Sequence, residues 1–506
     1  MSNDPSQPDD QQPGEDDSVI RVPGTDRVFT RGKMLVVLLS ILAMSMMAIS
    51  AINVALPSIE SSLGASNADV QWMLSGYALA FGMVLVAAGR TGDVLGRSSV
   101  FLSGVAVFTL ASLVCALISD PFWLNAMRVV QGIGAGLSTP QVNGMIVQYF
   151  HGHKRAWAFS LFGLVVSASV AVAPLLTGLL IDALGPGTGW RASFLWNVPI
   201  GILTIILGFR WLPFGPERER RIAKQQGGFV RSRLDLDPVG MIVLSLTVLA
   251  VMLPFMLHRP AGFLLLIAAP VLGWAWIRWE RSYEVAGHQP MVNLRLFGIR
   301  SFTHATAISF LQFLGATSTF VIIAMHLQSG LGAAALLAGS VGLPNAAASA
   351  ISSLWAGRHV IEKGRAIVIG AFCCSVTGLL ATIVMAQFID GPDPELHFMW
   401  LSIPLVLYGI GVGAINTCNQ ALSQEDIPAN IGGTAGAVKQ VGERVGTAVG
   451  NAMITAVFFW VQPLSGWTAG FTAALGVIIV LQIIALVSAI FDRRVLGDGR
   501  HFHGTA

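Results

Sequence analysis

Apolar residues run through this chain in fourteen long blocks separated by short polar segments. The blocks cover approximately residues 34–56, 71–89, 98–118, 122–149, 156–181, 192–212, 236–257, 261–279, 302–327, 334–356, 366–388, 398–422, 431–461 and 467–491. About 20 mostly apolar residues cross a bilayer as a helix, so the pattern predicts an all-α integral membrane protein with fourteen transmembrane helices. The fourth and thirteenth blocks are overlong, which predicts tilt or helical extension beyond the bilayer.

The polar segments alternate in charge. Arg21, Arg27, Arg31 and Lys33 precede the first block, and the same side receives Arg90 and Arg97, Lys154 and Arg155, the 213–235 loop, Arg278 to Arg300, Arg358 to Arg365, and Arg493 with Arg494. The opposite segments hold Glu60, Asp69, Asp120, Asp182, Asp390, Asp393 and Glu395, with Arg191 and Arg259 their only basic residues. Lys and Arg collect on the cytoplasmic side, so both termini are expected there, which requires an even number of crossings.

A nine-residue segment is used twice. Gly89-Arg90-Thr91-Gly92-Asp93-Val94-Leu95-Gly96-Arg97 returns 268 positions later as Gly357-Arg358-His359-Val360-Ile361-Glu362-Lys363-Gly364-Arg365. One copy lies between blocks two and three, the other between ten and eleven. The repeat predicts two six-helix halves, 34–212 and 302–491, joined by a linker over 213–235 and an inserted helix pair over 236–279. This six plus two plus six bundle is flanked by tails over 1–33 and 492–506. Duplicated membrane bundles point to transporters. The copies are unequal: the second has Ile361 where the first has Asp93, with its acid displaced to Glu362.

Composition agrees. Charged residues are 11 % and apolar residues 54 % of the chain, against about 25 % charged in soluble domains, and mean hydropathy is +0.68. The net charge of +3 is small, and no basic, aromatic-laced stripe suggests nucleic acid. Cys115, Cys373, Cys374 and Cys418 all sit in apolar blocks without CxxC spacing, as packing residues do, so neither a metal site nor a disulfide framework is implied. The first 17 residues hold six acids and no Lys or Arg, which predicts a disordered head. The first apolar block is long enough to span, and is expected as a helix of the mature protein rather than a cleaved signal.

Several polar residues interrupt the blocks. Arg128, in Arg128-Val129-Val130-Gln131-Gly132-Ile133-Gly134-Ala135-Gly136, needs water or a partner inside a membrane; snorkelling to the outer rim is the alternative. Gly132, Gly134 and Gly136 allow close helix packing, and Gly409-Ile410-Gly411-Val412-Gly413 echoes them in block twelve. Pro174, with Gly178, predicts a bend in block five that could act as a gate or be a passive packing kink. In block thirteen, Lys439-Gln440-Val441-Gly442-Glu443-Arg444 puts Lys439 and Glu443 on one helix face. Either these charges form a structural lock or Glu443 carries a proton. Gln131, His304, Gln312, Asn416 and Gln420 are candidates for the wall of a substrate cavity, with helix–helix hydrogen bonds as the plainer alternative. Asp235 and Asp237 begin block seven and read as helix caps. No nucleophile–base–acid set, phosphate loop or HExxH motif suggests an enzyme.

Gln71-Trp72-Met73 through Tyr77, followed by Ala88 and the first repeat copy, resembles the signature loop of the major facilitator superfamily, with Val94 where a basic residue is usual. The Arg128 stretch resembles a second motif of that family. Trp190-Arg191-Ala192-Ser193-Phe194-Leu195-Trp196-Asn197-Val198-Pro199-Ile200-Gly201 and Pro290-Met291-Val292-Asn293-Leu294-Arg295-Leu296-Phe297 are similar to segments of its fourteen-spanner drug:proton antiporter branch. The resemblance covers about residues 34–491. It implies a cytoplasmic gate of Gly89, Arg90, Asp93, Gly96 and Arg97, in which Asp93 meets the start of span thirteen near Gly432 and Gly433. It also implies proton coupling through Arg128, with Lys439, Glu443 and Arg444 as this chain's own candidates. Three departures matter: Ala48 stands where this branch has an aspartate, Ala173 and Thr177 replace glycines, and Glu443 and Arg444 replace small residues.

The expected activity is export of a small amphipathic or lipophilic compound by alternating access, driven by protons. Export of an envelope lipid, siderophore or metabolite is the second expectation, and a transport-inactive membrane sensor or partner protein the third. No cofactor and no nucleic acid is expected. The expected partners are a small-molecule substrate, protons and the lipid bilayer, for a monomer in the cytoplasmic (plasma) membrane.

Overall fold

Local signals fix several helix ends before packing does. The Ser66 hydroxyl accepts from the Asp69 N–H at 3.3 Å while the Asp69 carboxylate accepts from the Ser66 N–H at 3.0 Å, a reciprocal capping box. Asp120 accepts from the Trp123 N–H at 3.2 Å, with Pro121 in the first turn. Asp237 caps the helix that follows it, accepting from the Gly240 N–H at 2.9 Å, and is held at φ +47°. Its neighbour Asp235 lies outside the described residues.

The computed structural model describes residues 19–21, 28–214, 236–257, 260–333, 339–389 and 397–497. Its elements are β1 (Val19–Arg21), β2 (Val28–Thr30), α1 (Arg31–Leu63), α2 (Asn67–Leu95), α3 (Arg97–Leu117), α4 (Pro121–Tyr149), α5 (Gly152–Leu184), α6 (Pro186–Leu195) and α7 (Asn197–Trp211). They continue with α8 (Pro238–Leu257), α9 (Leu265–Val285), α10 (Arg300–Met325), α11 (Leu343–Ala386), α12 (Ser402–Ser423), α13 (Gly432–Ser465) and α14 (Trp467–Leu496). Among the described residues, 12 helical stretches are long and apolar enough to cross a membrane, α6 and α7 forming one of them. Helix α4 is outside that set, because Arg128, Gln131, Gln141 and Asn143 dilute its apolar character.

Helices α1–α7 pack together as one half and α10–α14 as the other. The halves meet through α2, α4 and α5 on one side and α11, α12 and α13 on the other. The inserted α8 and α9 pack on each other, and α8 covers the edge where α2 meets α13.

The structure departs from the sequence expectations at several places. The head expected to be disordered over 1–33 contains an antiparallel hairpin, with Val19 opposite Thr30 and Ile20 opposite Phe29. Ile20 and Phe29 are buried in the main core cluster, so apolar burial holds a segment that the acidic composition does not describe. Residues 1–18 lie outside the described set, as do 215–235 of the linker and 498–506 of the C-terminal tail. That tail was expected from 492, but α14 continues to Leu496. Spans ten and eleven, expected as separate helices, form the 44-residue α11, broken only at Lys363, where φ is −137° and ψ is 23°. The two repeat copies therefore turn differently. Gly96 turns the first at φ +115°, a conformation open to glycine, whereas the second breaks at a lysine.

The glycine echo has a structural counterpart in the two halves. A Cβ on Gly134 of α4 would lie 2.5 Å from the Phe108 N of α3, and one on Gly411 of α12 would lie 2.5 Å from the Ala371 O of α11. Membrane helices associate by close packing rather than by hydrophobic drive, so these contacts set the spacing within each half. Gly134→Val is therefore expected to destabilise the protein by about 1–3 kcal/mol through overpacking, read as a lower unfolding temperature in detergent. Gly178→Ala, where an added Cβ meets no atom within 4 Å, should leave that temperature unchanged or higher. Equal behaviour of the two variants would contradict this packing account.

Candidate functional site

The first repeat copy ends α2 and starts α3, and that turn aims two side chains inward. Asp93 Oδ1 accepts from Arg97 Nη2 at 2.7 Å and Nε at 2.9 Å. Arg97 Nη1 also donates to the Gly144 carbonyl at 2.6 Å and to Gln148 Oε1 at 2.8 Å, so the guanidinium bridges the end of α2 to the end of α4. The second Asp93 oxygen faces the other half. Its Oδ2 accepts from the Thr434 N–H at 3.0 Å and from the Thr434 hydroxyl at 2.8 Å. These groups belong to the first turn of α13, where unpaired N–H groups and the helix dipole favour an anion.

Glycines let the backbones reach that distance. A Cβ on Gly89 would stand 2.9 Å from the Gly433 carbonyl and 3.1 Å from the Ala437 Cβ. Arg90 reaches outward instead, donating from Nη2 to Gln289 Oε1 at 3.1 Å on the segment leading to α10. A cavity of about 360 Å³ lies between Arg90, Asp93, Gln289, Asn430 and Thr434.

One level deeper, a polar chain crosses from half to half. Glu443 Oε1 accepts from Lys439 Nζ at 2.6 Å, Lys439 Nζ also donates to Gln420 Oε1 at 2.6 Å, and Gln420 Nε2 donates to Asn143 Oδ1 at 3.0 Å. Lys439 is 3 % and Glu443 14 % exposed, so this charge pair lies in the seam rather than at the rim. Arg444 places its guanidinium 4.7 Å from the Phe81 ring centre. Arg155 Nη2 donates to the Gln424 carbonyl at 2.8 Å, and Ser167 meets Ser349 at 2.9 Å. All of these cross-half contacts lie in the middle of the bundle or toward the end that carries the basic loops.

Arg128 does not snorkel. It is 1 % exposed and donates from Nε to the Met73 carbonyl at 3.1 Å and from Nη1 to Gln131 Oε1 at 2.6 Å. Its guanidinium lies 4.5 Å from the Tyr77 ring centre, and the Tyr77 hydroxyl meets Ser45 at 2.8 Å. This knot ties α1, α2 and α4 within one half.

Two expectations about site residues change. Gln131 does not line a cavity: it is fully buried between Arg128 and Ser112. His304 lies outside the centre, its Nδ1 2.9 Å from Asp492 Oδ1 at the C-terminal end of α14. Pro174 and Gly178, expected at a bend, lie within the single helix α5. Gln312 and Asn416 bond each other at 3.0 Å between α10 and α12. Gln420 belongs to the cross-half chain.

Sequence reasoning missed Asn143 and Gln141, although both are polar residues inside an apolar block. The repeat marked Arg365 as the counterpart of Arg97 but did not reveal its acid partners. Arg365 is paired with Glu425 at 2.8 Å and Asp492 at 3.1 Å, acids from outside its own repeat copy.

The family model of the Major Facilitator Superfamily matches residues 38–451. The chain is 29 % identical over 414 residues to a Streptomyces coelicolor protein named a probable actinorhodin transporter, covering 80 % of this chain and 69 % of that protein. It is 28 % identical over 423 residues to the methylenomycin A resistance protein of Bacillus subtilis, covering 82 % of this chain and 86 % of that protein. Among solved structures, the human organic anion transporter MFSD10 superposes with a TM-score of 0.64 over 90 % of this chain and 99 % of that one. At 16 % identity this is a likeness of fold alone.

Asp93→Asn leaves the buried Arg97 charge without its counter-ion, on the scale of about 3 kcal/mol for a broken buried pair. The seam should open more often. With Ala437→Cys as the single cysteine, labelling by a water-soluble maleimide from the basic-loop side is expected to rise at least about tenfold in Asp93→Asn. An unchanged labelling rate would remove Asp93 from any role in holding the halves together.

Proposed function

Because this chain belongs to the Major Facilitator Superfamily, we propose that it exports small amphipathic or lipophilic compounds across the cytoplasmic membrane by alternating access, driven by proton antiport. The observation that carries this reading is the divided Asp93 carboxylate, with one oxygen held in its own half and the other on the first turn of α13. A contact of that kind closes one end of the bundle and reopens when the halves rock apart. The names of the relatives, a probable actinorhodin transporter and a methylenomycin A resistance protein, support outward export.

The proposed topology has fourteen crossings with both termini cytoplasmic. Helix α4 and the two limbs of α11 bring the 12 apolar stretches to that number. The basic-loop end is then cytoplasmic, and the Asp93 contact joins the halves there in the described arrangement. The protein acts as a monomer in this reading.

Glu443 is the proposed proton site. A proton on its carboxylate removes the counter-ion of Lys439, which in turn grips Gln420 and through it Asn143 of the other half. Protonation from outside would thus loosen the seam, and deprotonation toward the cytoplasm would rebuild it. Ala48, buried in α1 where a carboxylate would be expected in this branch, favours a second reading in which the cargo is an envelope lipid, siderophore or metabolite.

Proteoliposomes with an imposed pH gradient and a panel of fluorescent amphiphiles of either charge test the coupling. Wild-type protein should move protons in response to at least one amphiphile, and Glu443→Gln should lower that movement at least about tenfold, the loss of one ion pair of about 1.4 kcal/mol or more. Equal proton movement by the two proteins would sink coupling through Glu443.

A further inference from the structure

The N-terminal part of α13 has one face whose direction is fixed by its contacts. Gly433 meets Asp93, Gly436 meets Asn143 and Ala437 meets Gly89, so this face looks toward α2 and α4. Helical spacing carries it on to Gln440 and Arg444. Gln440 is 6 % exposed, and neither its amide oxygen nor its amide nitrogen has a hydrogen-bond partner among the described residues. The buried Nε of Arg444 and Nδ2 of Asn143 are likewise unmatched there. Buried polar atoms without partners are costly, and here several converge on one seam.

The charge balance gives this convergence a sign. Among the described residues, Glu443 is the one carboxylate more than two turns from any helix end or break, Glu362 standing exposed beside the Lys363 break of α11, and it is committed to Lys439 at 2.6 Å. The acids of the first half that face away from the basic loops, Glu60, Asp69, Asp120 and Asp182, stand at helix ends. Arg444 feels the charge of the adjacent Glu443 but forms no ion pair with it, its guanidinium resting on the Phe81 ring face, a weaker partner than a hydrogen-bonded carboxylate. A guanidinium without an ion pair, beside an unpartnered amide in a low-dielectric seam, favours an anion and repels a cation.

We propose that Arg444 and Gln440 form the headgroup subsite for an anionic amphiphile, a cargo whose carboxylate, sulfonate or phenolate accepts from both side chains. This rests on the exporter reading and names the class of its cargo. The guanidinium supplies charge and the Gln440 amide a directed N–H. In the described conformation the subsite lies behind the Asp93 contact, so cargo reaches it from the basic-loop end when that contact parts.

Fluorescein and rhodamine 6G share a xanthene core and differ in charge, one anionic and the other cationic at neutral pH. Their binding to the purified full-length protein, followed by fluorescence anisotropy, tests the proposal. Fluorescein is expected to bind at least about tenfold more tightly than rhodamine 6G. Arg444→Gln should remove most of that preference, and Gln440→Leu should weaken fluorescein alone. The wild-type ratio decides even if a variant fails to fold: equal or tighter binding of rhodamine 6G, or no measurable binding of fluorescein, overturns the proposal. So does a folded Arg444→Gln protein with an unchanged ratio. Export from proteoliposomes separates this from the parent reading. Gradient-driven export of rhodamine 6G without fluorescein keeps the exporter and sinks the anion subsite. Arg444-dependent binding of fluorescein with export of neither dye keeps the subsite and sinks the exporter.

Discussion

A carboxylate has two oxygens, and in this protein they answer to different halves of the molecule. Asp93 gives Oδ1 to Arg97, which fastens α2 to α4, and Oδ2 to the first turn of α13. The arrangement is bistable in principle because only the second bond has to break when the halves separate. The Arg97 pair can persist and keep Asp93 aimed for its return. The glycine contacts around Gly89 and Gly433 follow from the same constraint, since no side chain fits between backbones drawn that close. So does the order of α13, whose first residues are buried on every side while those beyond Gln440 regain partial exposure.

Below that contact, the interior charges are nearly all assigned locally. Arg128 is absorbed by Met73, Gln131 and Tyr77 within one half, which makes it a rigid part of a moving body. Lys439 and Glu443 are bound to each other but reach across through Gln420 and Asn143. Under the proposed rocking of the halves, the first set would stay intact and the second would be stretched. A polar network that spans a moving boundary is suited to sensing a proton, because the energy of one ion pair is comparable to the energy separating two conformations.

Much of the architecture was legible because membranes impose length. Apolar blocks, basic loops and the repeated nine residues gave the halves and the inserted pair without any contact information, and the pairing of Asp93 with the start of α13 was anticipated from the resemblance. The glycine ladder of α4 and its echo in α12 were readable for the same reason, since small residues at turn spacing have few uses in lipid other than close approach. Helix rotation was not readable. Gln131 and His304 were expected at a cavity on polarity alone, yet neighbouring helices turned one toward Arg128 and the other toward Asp492. Nor could hydropathy foresee that α11 would continue through its second repeat copy. That depended on a lysine taking the break which a left-handed glycine takes in the first. The hairpin of Ile20 and Phe29 was hidden by the acids before it.

The pairing of Arg365 has a consequence for how the second half is made. Arg97 finds its acid four residues upstream, within the same hairpin, and can be neutralised as soon as that hairpin exists. Arg365 is equally buried, but its partners are Glu425 and Asp492, the latter 127 positions downstream and four residues from the end of the last helix. During synthesis two further spans separate its charge from Glu425 and four separate it from Asp492. The first half can form its buried pair while it emerges, whereas the second completes its three-residue cluster only when the last helix is in place.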